Sequence, residues 1–246
     1  MPASRRGDGV LTLVLASALA LTPVQSYNQG NQLYARKDFA AAAEAYEAAL
    51  RGAHDARAEY NLGNALFKSG RIGEAIVRYR RAYALAPRDA DVRGNLAFAR
   101  AYRLDKLLAS SNPLARALDG AFRWLSRREA ALAAALLFAL AAAALALWIV
   151  RRWAAAGLAA LVLALPALLC LLGQQVWSAE VRSQPAVVVV PEVSAASGPG
   201  EEFKQILLLH DGTEVRVREA RGDWRLVQLP GGSGGWVPAR AIERIY

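Results

Sequence analysis

Two stretches of the chain, Ala130–Val150 and Trp153–Gly173, run without a charged residue. Each is long enough, at about 1.5 Å per helical residue, to span a hydrocarbon core of ~30 Å. They predict two transmembrane helices, at 130–150 and 153–173, turned by Arg151-Arg152. Trp148, Trp153 and Trp177 fall near the ends of these runs, at the depth indole rings favour as interfacial anchors. Pro166 predicts a kink in the second helix. A shorter apolar run, Val10–Leu21, follows Arg5-Arg6 and precedes Val24-Gln25-Ser26. This is the order of a secretory signal peptide over 1–26, with cleavage before Tyr27. An uncleaved anchor is the other reading, and both carry Tyr27 across a membrane.

Between residues 27 and 108 the apolar positions take helical spacing, and the pattern repeats. Gly30-Asn31-Gln32-Leu33 aligns with Gly63-Asn64-Ala65-Leu66, Ala42 with Ala75, and Tyr46 with Tyr79, all 33 residues apart. Such a period predicts stacked pairs of helices. The second unit reads Asn61-Leu62-Gly63-Asn64-Ala65-Leu66-Phe67, then Gly70, Ala75, Tyr79, Ala82 and Pro87, which resembles a tetratricopeptide repeat. Gly63 and Ala75 are small where two helices cross, and Pro87 stops the second helix. The first unit is less complete, with Gln29 in the usual Leu slot. Asn95-Leu96 recurs after Asn61-Leu62 and predicts a capping helix over Asp91–Leu107. The resemblance implies that the first helix of each unit lines a partner-binding groove. Asn31, Tyr34, Tyr60, Asn64, Phe67 and Lys68 map there. The Asn amides would bond an extended peptide backbone, Lys68 a carboxylate, and the aromatic rings would supply apolar anchors.

Asn112-Pro113 breaks the helical pattern. Leu114, Leu118, Phe122 and Leu125 then share one face, predicting an amphipathic juxtamembrane helix over 112–128. It would lie on the bilayer or against the repeat. Residues 185–246 switch to alternation, with five expected strands at Ala186–Val190, Ile206–Leu209, Glu214–Arg218, Trp224–Leu229 and Gly235–Val237. The landmarks Ser197-Gly198-Pro199, His210-Asp211-Gly212-Thr213, Gly222-Asp223-Trp224 and Gly235-Trp236-Val237-Pro238 resemble a bacterial SH3-like domain. Ser194-Ala195-Ala196 replaces the usual Asn-Val-Arg, which bears on any ligand site there. Trp224 reads as core and Trp236 as the more exposed ring; together they are the candidate ligand platform. The expected fold is multidomain: an all-α tetratricopeptide-type repeat, a two-helix transmembrane hairpin and a small all-β SH3-like barrel.

Composition sharpens this picture. The chain of 246 residues is 55% hydrophobic with a net charge of +9. The charge is +1 over 1–26, +5 over 27–108, +4 over 109–184 and −1 over 185–246. No basic cluster interleaved with aromatics stands out, so nucleic-acid binding is not expected; arginines flanking apolar runs fit a lipid bilayer instead. An even number of spans places the repeat and the C-terminal domain on one side. The signal assigns that side to the periplasm. The positive-inside rule, applied to Arg116, Arg123, Arg127 and Arg128, points to the cytoplasm. The signal acts first during export, so the expectation is a multi-pass inner-membrane protein with periplasmic domains.

Catalysis is not expected. The one cysteine, Cys170, lies in an apolar run, and His54 and His210 sit in expected turns facing solvent. Neither a nucleophile–base pair nor a phosphate loop is recognisable, and neither a cofactor nor a metal site is expected. The order of signal, repeat, two spans and SH3-like barrel resembles BatE-type members of the aerotolerance-operon (Bat) family. The resemblance implies a scaffold that binds protein partners in an envelope complex linked to stress tolerance. Those partners would be von Willebrand A-type Bat membrane proteins, with a MoxR-type ATPase usually encoded nearby. The alternative is a peptidoglycan-binding envelope protein acting through the SH3-like domain. A cytoplasmic adaptor is a third reading, tied to the arginine bias.

Overall fold

The computed structural model describes residues 21–52, 54–105 and 113–246. Residues 1–20 of the expected signal, residues 106–108 of the expected repeat domain and Asn112 lie outside the described residues. Five helices build the repeat: α1 (Pro23–Ala35), α2 (Phe39–Ala49), α3 (Ala56–Lys68), α4 (Ile72–Leu85) and α5 (Ala90–Ala101). Four of the five starts carry a side-chain cap. Thr22 and Gln25 form a capping box ahead of Pro23, and Asp38, Asp55 and Asp89 cap α2, α3 and α5. Helix α1 runs unbroken through Ser26-Tyr27, the expected cleavage point, and buries Ser26.

The 33-residue period is literal in three dimensions. A Cβ on Gly30 would lie 2.6 Å from the Tyr46 ring, and one on Gly63 2.7 Å from the Tyr79 ring. Each unit therefore closes by seating a tyrosine on a glycine. The turns match too: Lys37 at φ 64° is the counterpart of Gly70 at φ 79°. Glycine holds that left-handed conformation without the strain a Cβ brings.

Helix α6 (Pro113–Phe122) ends earlier than expected and packs on α8. The Phe122 carbonyl lies against Gly173, where a Cβ would come within 2.9 Å. Ser126 then caps a new helix, α7 (Arg127–Arg151), through a capping box with Glu129. Helix α8 (Ala154–Arg182) extends beyond the expected end at Gly173. Both are long and apolar enough to cross a membrane, and only 11% of the most apolar window of each is buried. A core helix of a soluble domain would be mostly buried. Trp177 is not an interfacial anchor: it is 2% exposed. It sits near Tyr83, with ring centroids 5.9 Å apart, and donates its indole N–H to the Leu125 carbonyl at 2.9 Å.

The C-terminal region forms a seven-stranded antiparallel sheet, ordered β3-β2-β6-β5-β4-β1-β7, that is SH3-like. Its strands are β1 (Pro185–Val188), β2 (Glu192–Ala196), β3 (Gln205–His210), β4 (Glu214–Arg221), β5 (Trp224–Gln228), β6 (Gly234–Pro238) and β7 (Ile242–Arg244). Two strands exceed the five expected. β2 is small and polar and β7 has only three residues, so neither carries a strong β signal. Ala186, Val188, Ala195, Leu209, Val215, Val217, Val227 and Val237 fill one core.

The sheet is docked on the repeat. Strand β1 is buried on both faces: Ala186 and Val188 join the barrel core, while Val187 joins the helical core with Ile76, Val77 and Ile245. The Gly73 N–H donates to Asp211 Oδ1 at 3.0 Å, and a Cβ on Gly73 would collide with the Val188 carbonyl. Gly73→Val is therefore expected to cost about 1–3 kcal/mol by overpacking the seam. Hydrogen–deuterium exchange should show faster uptake in β1 with α1 and α2 unchanged. Unaltered uptake in β1 would contradict the docked arrangement.

Candidate interaction surfaces

The first helices of the units, α1, α3 and α5, are joined by a polar ladder. Tyr46 Oη donates to Asn31 Oδ1 at 2.8 Å, and Asn61 Nδ2 donates to Tyr27 Oη at 2.9 Å. One unit later, Tyr79 Oη donates to Asn64 Oδ1 at 2.8 Å, and Asn95 Nδ2 donates to both Asn64 Oδ1 and Tyr60 Oη. Burial pushes the Tyr46 hydroxyl up to about 12, so it stays a donor. Asn31, Asn64 and Tyr60, expected as peptide-binding groups, thus also take part in joining helices. Asn64 and Tyr60 are half-buried, and these bonds satisfy their oxygens there, while Asn31 is exposed.

The remaining groove residues fare differently. Tyr34 is half-buried edge-on to Phe39, with centroids 5.1 Å apart. Lys68 is exposed. Phe67 packs on Phe98 at 5.5 Å and Tyr102 at 5.3 Å. Phe98 is 53% exposed and Tyr102 60% exposed, so the array ends in an aromatic edge beside Lys68. Phe98 and Tyr102 were legible in the sequence: they stand 34 residues after Asn64 and Lys68, the offset that relates Asn61 to Asn95.

In the β module the two tryptophans exchange expectations. Trp236 is 7% exposed, because it sits mid-sheet between β5 and β2 with the Arg221 guanidinium over its ring at 5.4 Å. Trp224, at the start of β5, is half-buried and is the more accessible ring. His210 is not turned to solvent either. Its Nδ1–H donates to Asp105 Oδ1 at 2.9 Å, its backbone N–H to Asp105 Oδ2 at 3.0 Å, and Thr213 Oγ1 donates to Asp105 Oδ2 at 2.5 Å. Burial alone would raise the Asp105 carboxyl, but the hydrogen bonds from Thr213 and His210 hold it below the usual carboxylate range.

The three parts meet at a charge cluster missed in the sequence. Glu214, at the start of β4, accepts from Arg100 at 2.7 and 2.8 Å, from Arg103 at 2.8 Å, and from Arg80 of α4. Arg80 also reaches Glu180 of α8, and Arg123 pairs with Glu180 at 3.2 Å. Arg81 donates to the Ile245 and Arg244 carbonyls at 2.8 and 2.7 Å. Burial pushes the Glu214 carboxyl up, but the Arg100 hydrogen bonds and the charges of Arg100, Arg80 and Arg103 outweigh it and hold it at about 2. A cavity of about 470 Å³ opens beside the cluster, with Arg93, Arg216 and Tyr246 on its walls. Among the described residues no group of three or more His, Cys, Asp or Glu could hold a metal ion.

The β module covers α4 and the end of α5, whereas the face of α1 and α3 that bears Asn31 and Lys68 is exposed. Residues 63–101 match the model of the TPR repeat, and residues 189–243 that of the bacterial SH3 domain. No curated protein matches the chain. The chain thus combines a TPR-type protein-interaction repeat with a bacterial SH3-type module and two long apolar helices.

Proposed function

We propose that this protein is a membrane-anchored, non-enzymatic adaptor. It recruits a protein partner through the first-helix face of its repeat, within a Bat-type envelope complex linked to oxidative or envelope stress tolerance. One observation carries the reading: the outer side of α4 is consumed by internal docking, while the first-helix face ends in an aromatic edge in which half-buried Phe67 carries the exposed rings of Phe98 and Tyr102 beside Lys68. Exposed aromatic clusters of this kind supply the anchors of protein interfaces. Helices α7 and α8 serve as the membrane hairpin, and the soluble parts share one side, assigned to the periplasm of an inner-membrane protein. Von Willebrand A-type Bat proteins are the proposed partners.

Phe98→Ala with Lys68→Glu should reduce recovery of such a partner from detergent extracts by roughly tenfold or more. The melting temperature should stay close to that of the unaltered protein, because both side chains are largely exposed. Unchanged recovery would remove the groove from the account. Fusing alkaline phosphatase after Tyr246 tests the sidedness: activity supports the periplasm, and an inactive fusion with a fluorescent cytoplasmic reporter opposes it.

The match to a bacterial SH3 domain over residues 189–243 favours a second reading, binding of peptidoglycan. Trp224 would be the contacting ring. Full-length protein in detergent should then pellet with purified sacculi and lose that property in Trp224→Ala. Protein left in the supernatant would eliminate this reading.

A further inference from the structure

A second cavity, of about 550 Å³, lies where the repeat sits down on the hairpin. His54 and Leu85 of the repeat form one wall, and Arg127, Arg128, Ala131 and Gln174 of the hairpin form the other. Its composition is graded. Arg127 and Arg128 stand at the start of the apolar helix α7, and Gln174 directly follows the second apolar run. Below them α7 continues with exposed Leu132 and Leu136.

The two arginines have no carboxylate of their own among the described residues. Glu129, the nearest in sequence, is engaged by Arg88 at 2.5 Å and by the Ser126 backbone N–H at 2.9 Å. Asp55, on the rim, accepts the Ala58 N–H as the cap of α3. Arg127 and Arg128 are both exposed and both line the cavity, so their positive charges on one wall favour an anion there. Trp124, two residues before Ser126 of the cavity lining, is exposed with Arg88 stacked over it at 5.2 Å, a pairing that suits a membrane–water boundary.

We propose that this cavity binds the phosphate headgroup of an anionic phospholipid. Arg127 and Arg128 donate to its phosphate oxygens, and the acyl chains run down α7 over Leu132 and Leu136. The cationic end and the apolar flank match the two halves of one amphiphile, which a soluble anion would leave half unused. The inference rests on α7 and α8 being a membrane hairpin.

The test uses the full chain in a neutral detergent, with native mass spectrometry of bound phosphatidylglycerol against phosphatidylcholine. The unaltered protein should retain phosphatidylglycerol preferentially. Arg127→Gln with Arg128→Gln should weaken retention by roughly tenfold and abolish the preference, while Arg127→Lys with Arg128→Lys should keep most of it. Equal retention of the two lipids, or a preference unchanged in the glutamine variant, would overturn the proposal. Displacement of phosphatidylglycerol by millimolar glycerophosphate would overturn the lipid as source and assign the site to a soluble phosphate. The parent reading fails separately: a chain that stays monodisperse without detergent has no membrane hairpin, whatever its arginines bind.

Discussion

Glu214→Gln is expected to destabilise the protein by about 3–5 kcal/mol, the usual effect of removing one partner from a buried ion cluster. Glutamine keeps the shape but leaves Arg80, Arg100 and Arg103 without their shared anion. Arg80 still has Glu180, and Arg100 is partly exposed, so solvent screens part of its share. The loss should concentrate on the contact of β4 with α4 and α5. Denaturant unfolding in mild detergent measures it, and a shift below about 1 kcal/mol would show that the cluster is ornamental. The pH dependence has a defined sign. The Glu214 carboxyl is held at about 2 in the folded chain, against about 4.3 when unfolded. A depressed carboxylate stabilises fully above its unfolded value and loses that contribution as pH falls through its folded value. Between about pH 4.5 and pH 2 the unaltered protein should therefore lose roughly 2 kcal/mol more than Glu214→Gln, and the remainder below pH 2. Parallel curves for the two proteins would contradict the assignment.

Tyr79→Ala carries the second large effect. The ring is buried against Gly63, and its hydroxyl holds Asn64, which Asn95 of the next helix also grips. Truncation opens a cavity at the crossing and loosens the joint between units, for a cost of about 3–5 kcal/mol. Tyr79→Phe keeps the ring and removes one hydrogen bond, for about 1 kcal/mol. Urea unfolding separates the two. Equal losses for Phe and Ala would mean that the hydroxyl, not the packing, closes the unit.

The sequence disclosed most where physics is local. The glycine–tyrosine crossings are pairs of residues one helical unit apart, so a 33-residue offset exposes them directly. The uncharged runs of the hairpin are equally explicit. What it hid is tertiary. The bonds that Asn31 and Asn64 accept from Tyr46 and Tyr79 are one example, because a polar residue on a helix does not announce which neighbour will satisfy it. Arg78, Arg80 and Arg81 belong to no motif in the sequence, and they clasp Glu214, Glu180 and Glu243. Trp177 looks like a membrane anchor because it follows an apolar run, but α8 continues past the apolar segment and carries it into the junction. Trp236 follows a glycine-rich turn, which suggested exposure, whereas the hairpin folds it back between two strands. One signal was available. Val187-Val188-Val189-Val190 is a continuous apolar run rather than an alternating one, the mark of a strand covered on both faces, and β1 has α4 behind it.

The central claim is that the first-helix face receives the partner while the second-helix face does not. It is tested most directly by photo-crosslinking in intact membranes. A benzophenone amino acid is placed at position 68, replacing Lys68, or at position 44, replacing the exposed Glu44 of α2. The account predicts a discrete protein adduct from position 68 that disappears when Phe98→Ala is added, and no adduct from position 44. An adduct from position 44 alone, or one from position 68 that is indifferent to Phe98, would contradict it.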